Sequence, residues 1–81
     1  MMTISIKSYM QTKYTYSELY FPTPVAFITY CNWLQQIEEF IYRETGLKLL
    51  DLSDQLYRDM YDEGYRVEEV VSLIMEDLPI F

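Results

Sequence analysis

From Tyr30 onward the apolar positions repeat with a helical period. Tyr30, Trp33, Leu34, Ile37, Phe40 and Ile41 fall at i, i+3, i+4, i+7 spacing, which predicts one buried helix face. Gly46 ends that helix, because glycine accepts the left-handed conformation found just past a helix C-terminus. Upstream, Thr23 followed by Pro24 makes an N-cap with proline at the first helical position. The strand propensity of Val25 to Ile28 makes Thr29 a competing start. Asp51 opens a second predicted helix, with Leu52, Leu56 and Met60 inward and Gln55, Arg58, Asp59, Asp62 and Glu63 outward, closed by Gly64. A third helix runs from about Val67 to Asp77, burying Val67, Val70, Val71, Ile74 and Leu78, and Pro79 prevents its continuation.

The N-terminal pattern has a different period. Residues 2–9 alternate apolar and polar at Met2, Ile4 and Ile6 and are rich in β-branched types, which predicts a short half-buried strand. Tyr14, Tyr16 and Tyr20 are evenly spaced and could pair with that strand, whereas Ser17 could instead cap a short helical turn; both readings of residues 13–21 stand open. The expected fold is mostly α, with a three-helix core and a short N-terminal strand or hairpin that would make it α+β. One domain spanning residues 1–81 is expected, since no repeat, linker or low-complexity tract divides the chain.

Composition permits such a core. The chain is 51% hydrophobic over 81 residues, near the size where one core only just outweighs the entropy lost on folding. Six Lys and Arg stand against thirteen Asp and Glu, a net charge of -7 with no histidine. Phosphate backbones and anionic lipid repel such a chain, so neither direct nucleic-acid binding nor membrane binding is expected, and a basic protein surface is its electrostatic complement. Residues 1–40 hold Lys7 and Lys13 against Glu18, Glu38 and Glu39, a balance of -1 that leaves the acidity to residues 41–81. Cys31 is the only cysteine, which excludes an intramolecular disulfide and points to a reducing cytoplasm. No leader pattern opens the chain and no apolar run approaches the length of a membrane span.

Candidate chemistry is sparse. Cys31 has no histidine to activate it and reads as a small buried hydrophobe. Asp59, Asp62, Glu63 and Gly64 suggest a calcium loop, yet Tyr61 and Val70 stand where that loop needs oxygen ligands. The carboxylate pairs Glu38 and Glu39, Asp62 and Glu63, Glu68 and Glu69, and Glu76 and Asp77 are each adjacent on a helix, so they diverge and read as solvated faces. The tight turn between the second and third helices suggests helix-turn-helix, but the later helix carries four carboxylates and no lysine, which a DNA groove would reject. No catalytic residue, cofactor or metal is expected, and the chain reads as a non-enzyme.

Two surface features remain. One is the acidic array of Asp54, Asp59, Asp62, Glu63, Glu68, Glu69, Glu76 and Asp77, partly neutralised by Arg58, which lies four residues from both Asp54 and Asp62. Along the last helix Glu68, Ser72 and Glu76 form a ridge with neighbours about 5–6 Å apart, close to the spacing of a phosphate row. The other is tyrosine, nine in all, with Tyr57 and Tyr61 one turn apart and Tyr65 just beyond. Tyrosines beside carboxylates suit a protein interface, because the ring supplies area at low entropic cost and its hydroxyl tolerates water; roofing a small core is the competing role. The expected partner-binding set is therefore Asp54, Tyr57, Asp59, Tyr61, Asp62, Glu63, Tyr65, Glu68, Glu69 and Glu76.

The run from Thr45 to Leu78, preceded by the helix bearing Trp33, resembles a pattern in small proteins of phages and plasmids. That pattern joins a tryptophan-bearing helix, a Gly-Leu break, Asp-Leu-Pro-Asp, a Tyr-rich short helix ending in Gly, and Pro-Glu-Glu before a last helix. Gly46 and Leu47, Asp51, Leu52 and Asp54, Tyr57, Tyr61 and Gly64, and Glu68 and Glu69 match it. Ser53 and Val67 replace its prolines, and Arg66 replaces its capping Ser or Thr. The resemblance implies a mobile-element accessory protein and, by analogy, an inhibitor of host defence of the anti-CRISPR kind. The expected function is a non-catalytic acidic protein that binds a basic surface on a larger, nucleic-acid-handling protein of a bacterial host and blocks it. The alternative is a constitutive structural or regulatory subunit, a homodimer among its forms, with no inhibitory role.

Overall fold

The computed structural model describes residues 4–52 and 57–77. They form helices α1 (Ile6–Lys13), α2 (Pro24–Thr45), α3 (Tyr57–Asp62) and α4 (Val67–Asp77), with a 3-10 turn at Leu49–Asp51 between α2 and α3. The 22-residue α2 is the spine, and both α1 and α4 pack against it. Its boundaries follow local chemistry. The Thr23 hydroxyl accepts the Ala26 N–H at 3.1 Å, Pro24 occupies the first turn, and Gly46 closes the helix at φ 76° while donating to the Tyr42 carbonyl at 2.8 Å. Thr29, the competing start, lies inside the helix with its hydroxyl bonded to the Val25 carbonyl at 2.9 Å.

The core is built on Phe27, Tyr30, Cys31, Leu34, Ile37 and Ile41 of α2, joined by Ile6, Phe21, Leu49, Val70, Val71 and Ile74. One register detail differs from the sequence expectation. Phe40 is 40% exposed, while Glu38, read as part of a solvated pair, is 3% exposed and takes the inward position one turn beyond Leu34. Backbone donors converge on Glu38 from two other elements, and this outweighs the apolar preference of the ring at residue 40.

The predicted N-terminal strand is absent: among the described residues there is no strand, and Ile6–Lys13 is helical. Met2 lies outside the described residues. Ser5 caps α1, its Oγ accepting the Ser8 N–H at 3.2 Å, and the Lys7 N–H donates to Gln35 at 3.3 Å. Ile6, Tyr9 and Met10 then face the core at i, i+3, i+4. A lone strand would leave its ladder groups without partners, whereas a helix satisfies most of them internally.

Of the two open readings of residues 13–21, the strand pairing is not seen among the described residues, and a short turn forms instead, capped by Thr15 where Ser17 was expected. Thr15 and Glu18 make a reciprocal capping box, with the Thr15 N–H on the Glu18 carboxylate at 2.7 Å and the Glu18 N–H on the Thr15 hydroxyl at 3.3 Å. The turn ends as a Schellman motif: Tyr20 donates to the Ser17 carbonyl and Phe21 to the Tyr16 carbonyl, with Tyr20 left-handed at φ 62°. The same motif closes α3, where Gly64 has φ 86° and Gly64 and Tyr65 donate to Tyr61 and Met60. Asp51, expected to open the second helix, lies in the 3-10 turn, and that helix is described from Tyr57, which leaves Asp54, Gln55 and Leu56 outside the described residues. The last helix has its expected span, with Val70, Val71 and Ile74 buried and Val67 half-buried; Leu78 and Pro79 lie outside the described residues.

Tyr20 and Gly64 occupy equivalent positions with opposite chemistry, so their exchanges should have opposite signs. The left-handed conformation costs a non-glycine residue about 1–2 kcal/mol, and glycine's extra chain entropy offsets about 0.5–1 kcal/mol of that. Tyr20→Gly should therefore raise the melting temperature by a few degrees. Gly64→Ala should lower it by a similar amount through backbone strain alone, since a Cβ there meets nothing within 4 Å. A lower melting temperature for Tyr20→Gly would contradict the assignment.

Candidate functional site

The inward face of α4 is set by Val70, Val71 and Ile74. At 3.6 residues per turn, Glu68, Glu69, Ser72 and Glu76 fall on the opposite face, and all are exposed. The helix carries no Lys or Arg. On α3 and its closing turn, Asp59, Asp62 and Glu63 are likewise exposed. Asp54 lies outside the described residues.

Part of this acidity has a local structural cause. Glu68 and Glu69 stand in the first turn of α4, where the helix dipole favours negative charge, and Glu69 accepts the Arg66 N–H at 2.9 Å. Asp62 is held by Arg58, whose Nε lies 3.0 and 3.1 Å from the two carboxylate oxygens. Glu76 and Asp77 have no such cause. They sit exposed in the last turn of α4, where the dipole opposes negative charge and the turn itself holds no basic residue.

The tyrosines divide differently from an exposed ridge. Tyr57, Tyr61 and Tyr65 are each half-buried and packed against the core. The Tyr61 ring lies edge-on to Tyr30 at 5.0 Å and to Trp33 at 5.2 Å, and also meets Phe21. The Tyr65 carbonyl accepts the Trp33 indole N–H at 3.2 Å. A short helix with few aliphatic side chains docks by its rings, because the N-terminal half of α2 offers an aromatic surface. Arg58 seals this seam: its guanidinium lies 3.7 Å from the Phe21 ring centre and also donates to the Leu19 carbonyl. Burial pushes the Tyr30 phenol up to about 12 against the opposing field of Arg58.

Sequence reasoning missed Glu38. Its carboxylate accepts the Ile6 N–H at 3.1 and 3.2 Å on its two oxygens and the Leu49 N–H at 3.1 Å. The signal was its place in the helical stripe, four residues after Leu34 and three before Ile41. Beside it an open groove of about 660 Å³ runs between Ser5, Gln35, Glu39, Tyr42, Arg43 and Lys48. Its rim mixes both signs of charge, and Glu38 is committed to backbone donors.

Cys31 is fully buried, and burial pushes its thiol up, away from the thiolate a nucleophile needs. Among the described residues no three Cys, Asp or Glu side chains converge to hold a metal ion, and no helix is long and apolar enough to cross a membrane. Comparison with protein-family models, curated proteins and solved structures finds no match.

Two measurements test this account of the interior. Glu38→Ala removes a charged acceptor from two buried N–H groups, each such bond contributing about 1.5–3 kcal/mol. Urea denaturation should show a loss of roughly 3 kcal/mol, against at most about 0.5 kcal/mol for the exposed neighbour Glu39→Ala; equal losses would remove Glu38 from its central place. Tyr30 holds its proton in the folded state up to about 12 but releases it near 10 when unfolded, so its contribution to stability is complete below pH 10 and is lost as pH rises toward 12. Tyr30→Phe should flatten stability against pH in that window, and an unchanged slope would assign the alkaline loss to other groups.

Proposed function

We propose that the chain is a non-catalytic binding protein that uses the outward acidic face of α4, extended by Asp59 and Glu63, to occupy a basic surface on a larger nucleic-acid-handling protein. The observation that carries this reading is the placement of Glu76 and Asp77 against their own helix dipole on a helix without a cation. Exposed carboxylates that the fold itself does not favour suit a partner that supplies the missing positive charge. In this reading the tyrosines act from behind. They fix α3 and α4 on the core so that the acidic face is presented rigidly, which lowers the entropy lost on binding.

The blocking role follows from the same chemistry. A row of carboxylates spaced by helical turns competes with phosphates for Lys and Arg in a nucleic-acid channel. The setting this suits is the cytoplasm of a bacterial host, where an accessory protein of a phage or plasmid would inhibit a defence complex.

A charge-reversal series tests the proposal. Asp59→Lys, Glu68→Lys and Glu76→Lys leave the Arg58–Asp62 pair and the Glu69 capping bond in place, so the fold should persist by circular dichroism. Partners captured by the parent chain from host lysate should be lost by the triple variant, and their retention by the parent should fall steeply as salt is raised. Recovery of the same partners at equal yield from both chains would end the acidic-face reading.

A further inference from the structure

Glu38 holds its two backbone donors on overlapping atoms. The Ile6 N–H reaches both carboxylate oxygens, and the Leu49 N–H, from the other side of Glu38 in the chain, reaches Oε2, one of the same two. Ile6 is the first residue of α1 and Leu49 the first of the 3-10 turn, so neither N–H has an acceptor within its own element. The carboxylate between them is 3% exposed. A charge at that depth is held by its donors and by the exclusion of water, and each condition depends on both segments staying in place. If α1 lifts, Oε1 loses the Ile6 N–H and water reaches the carboxylate. The Leu49 bond then competes with hydration and falls to the strength of an exposed contact. If the turn lifts, the Ile6 bonds weaken for the same reason.

We propose that Glu38 is a latch: the docking of α1 and the seating of the Leu49–Asp51 turn are one two-state event, so that release of either end releases the other. The buried charge makes the coupling positive, since its desolvation is incurred once and is offset in full only when both donors are present. α1 is eight residues long and unravels once off the spine, because the packing of Ile6, Tyr9 and Met10 is what holds so short a helix together. The turn precedes α3 in the chain, which gives the N-terminal helix a hold over the connection that leads to α3. The open groove beside Glu38 lies between the same two segments, with Ser5 next to Ile6 and Lys48 next to Leu49 in its lining, so its walls move with the latch. The aromatic seam around Trp33 and Tyr61 stands outside this unit.

Native-state hydrogen exchange on the full chain tests the latch. After correction for intrinsic rates, the Ile6 and Leu49 amides should share one protection factor and one urea dependence, with protection below that of the Ile37 and Ile41 amides by on the order of tenfold or more. Gln11→Gly weakens α1 at an exposed position and should speed exchange about fivefold, by the same factor at Leu49 as at Ile6. Leu50→Gly weakens the turn and should return the effect, speeding Ile6 as much as Leu49, as linkage requires. Glu38→Gln keeps the shape of the side chain and removes the charge, and against it Gln11→Gly should speed Ile6 by more than Leu49. Should Glu38→Gln not fold, the other three chains decide. Separate protection factors at Ile6 and Leu49, a Leu49 rate indifferent to Gln11→Gly, exchange of both amides only through global unfolding, or equal responses in the Glu38→Gln chain would each overturn the proposal.

Discussion

A carboxylate inside a small apolar core is tolerated only where hydrogen-bond donors replace the water it has lost. Glu38 meets that condition with backbone N–H groups from two different parts of the chain, the first residue of α1 and the first residue of the 3-10 turn after α2. Both are donors that helix geometry leaves without an internal partner, so one side chain resolves two orphaned ends. At α1 the carboxylate also sits at the positive end of the helix dipole. The arrangement ties the N-terminus and the α2–α3 connection to the same point of the spine. A chain of this size has little core to spare for such fastening, and a charged acceptor gives more per contact than another methyl group would.

At the other end of α2 the fastening is aromatic. Phe21, Phe27, Tyr30, Trp33 and Tyr61 meet at centroid separations of 5.0 to 6.4 Å, with Arg58 laid over Phe21. This seam explains how α3 holds its place on the spine. It also separates two roles that a string of tyrosines and aspartates confuses. Arg58 neutralises Asp62 on the way to its ring contact, so the cation of α3 serves packing, and α4 carries no cation of its own.

What was legible in the residues followed from local chemistry. The bounds of α2 came from Thr23, Pro24 and Gly46, and those of α4 from its apolar period, since each signal acts within a few residues. The N-terminal helix was not legible because Ile4 and Ile6 alternate as a strand does, and the choice is made by Glu38, thirty-two residues away from Ile6. Glu38 itself was masked by Glu39, which makes an adjacent pair look like a solvated face, although its spacing from Leu34 and Ile41 is that of a core position. The Thr15 and Glu18 box is an ordinary sequence signature, but the evenly spaced tyrosines around it competed for the same residues. Of the expected binding residues, Asp59, Asp62, Glu63, Glu68, Glu69 and Glu76 are on the surface, while Tyr57, Tyr61 and Tyr65 pack on the core, because an exposed and a core-roofing tyrosine share the same helical spacing.

Segregated charge constrains what such a chain can bind. If its carboxylates were spread evenly, every face would repel a second copy and attract a basic partner only weakly. Concentrating them after α2 raises the local potential where a cationic surface would dock, and leaves the outer ridge of the N-terminal half of α2 with side chains that carry no charge. Salt would screen the potential of the first and leave the second unaffected. One helix thus underlies both features, since α2 seats the elements that bear the carboxylates and exposes the ridge that lacks them.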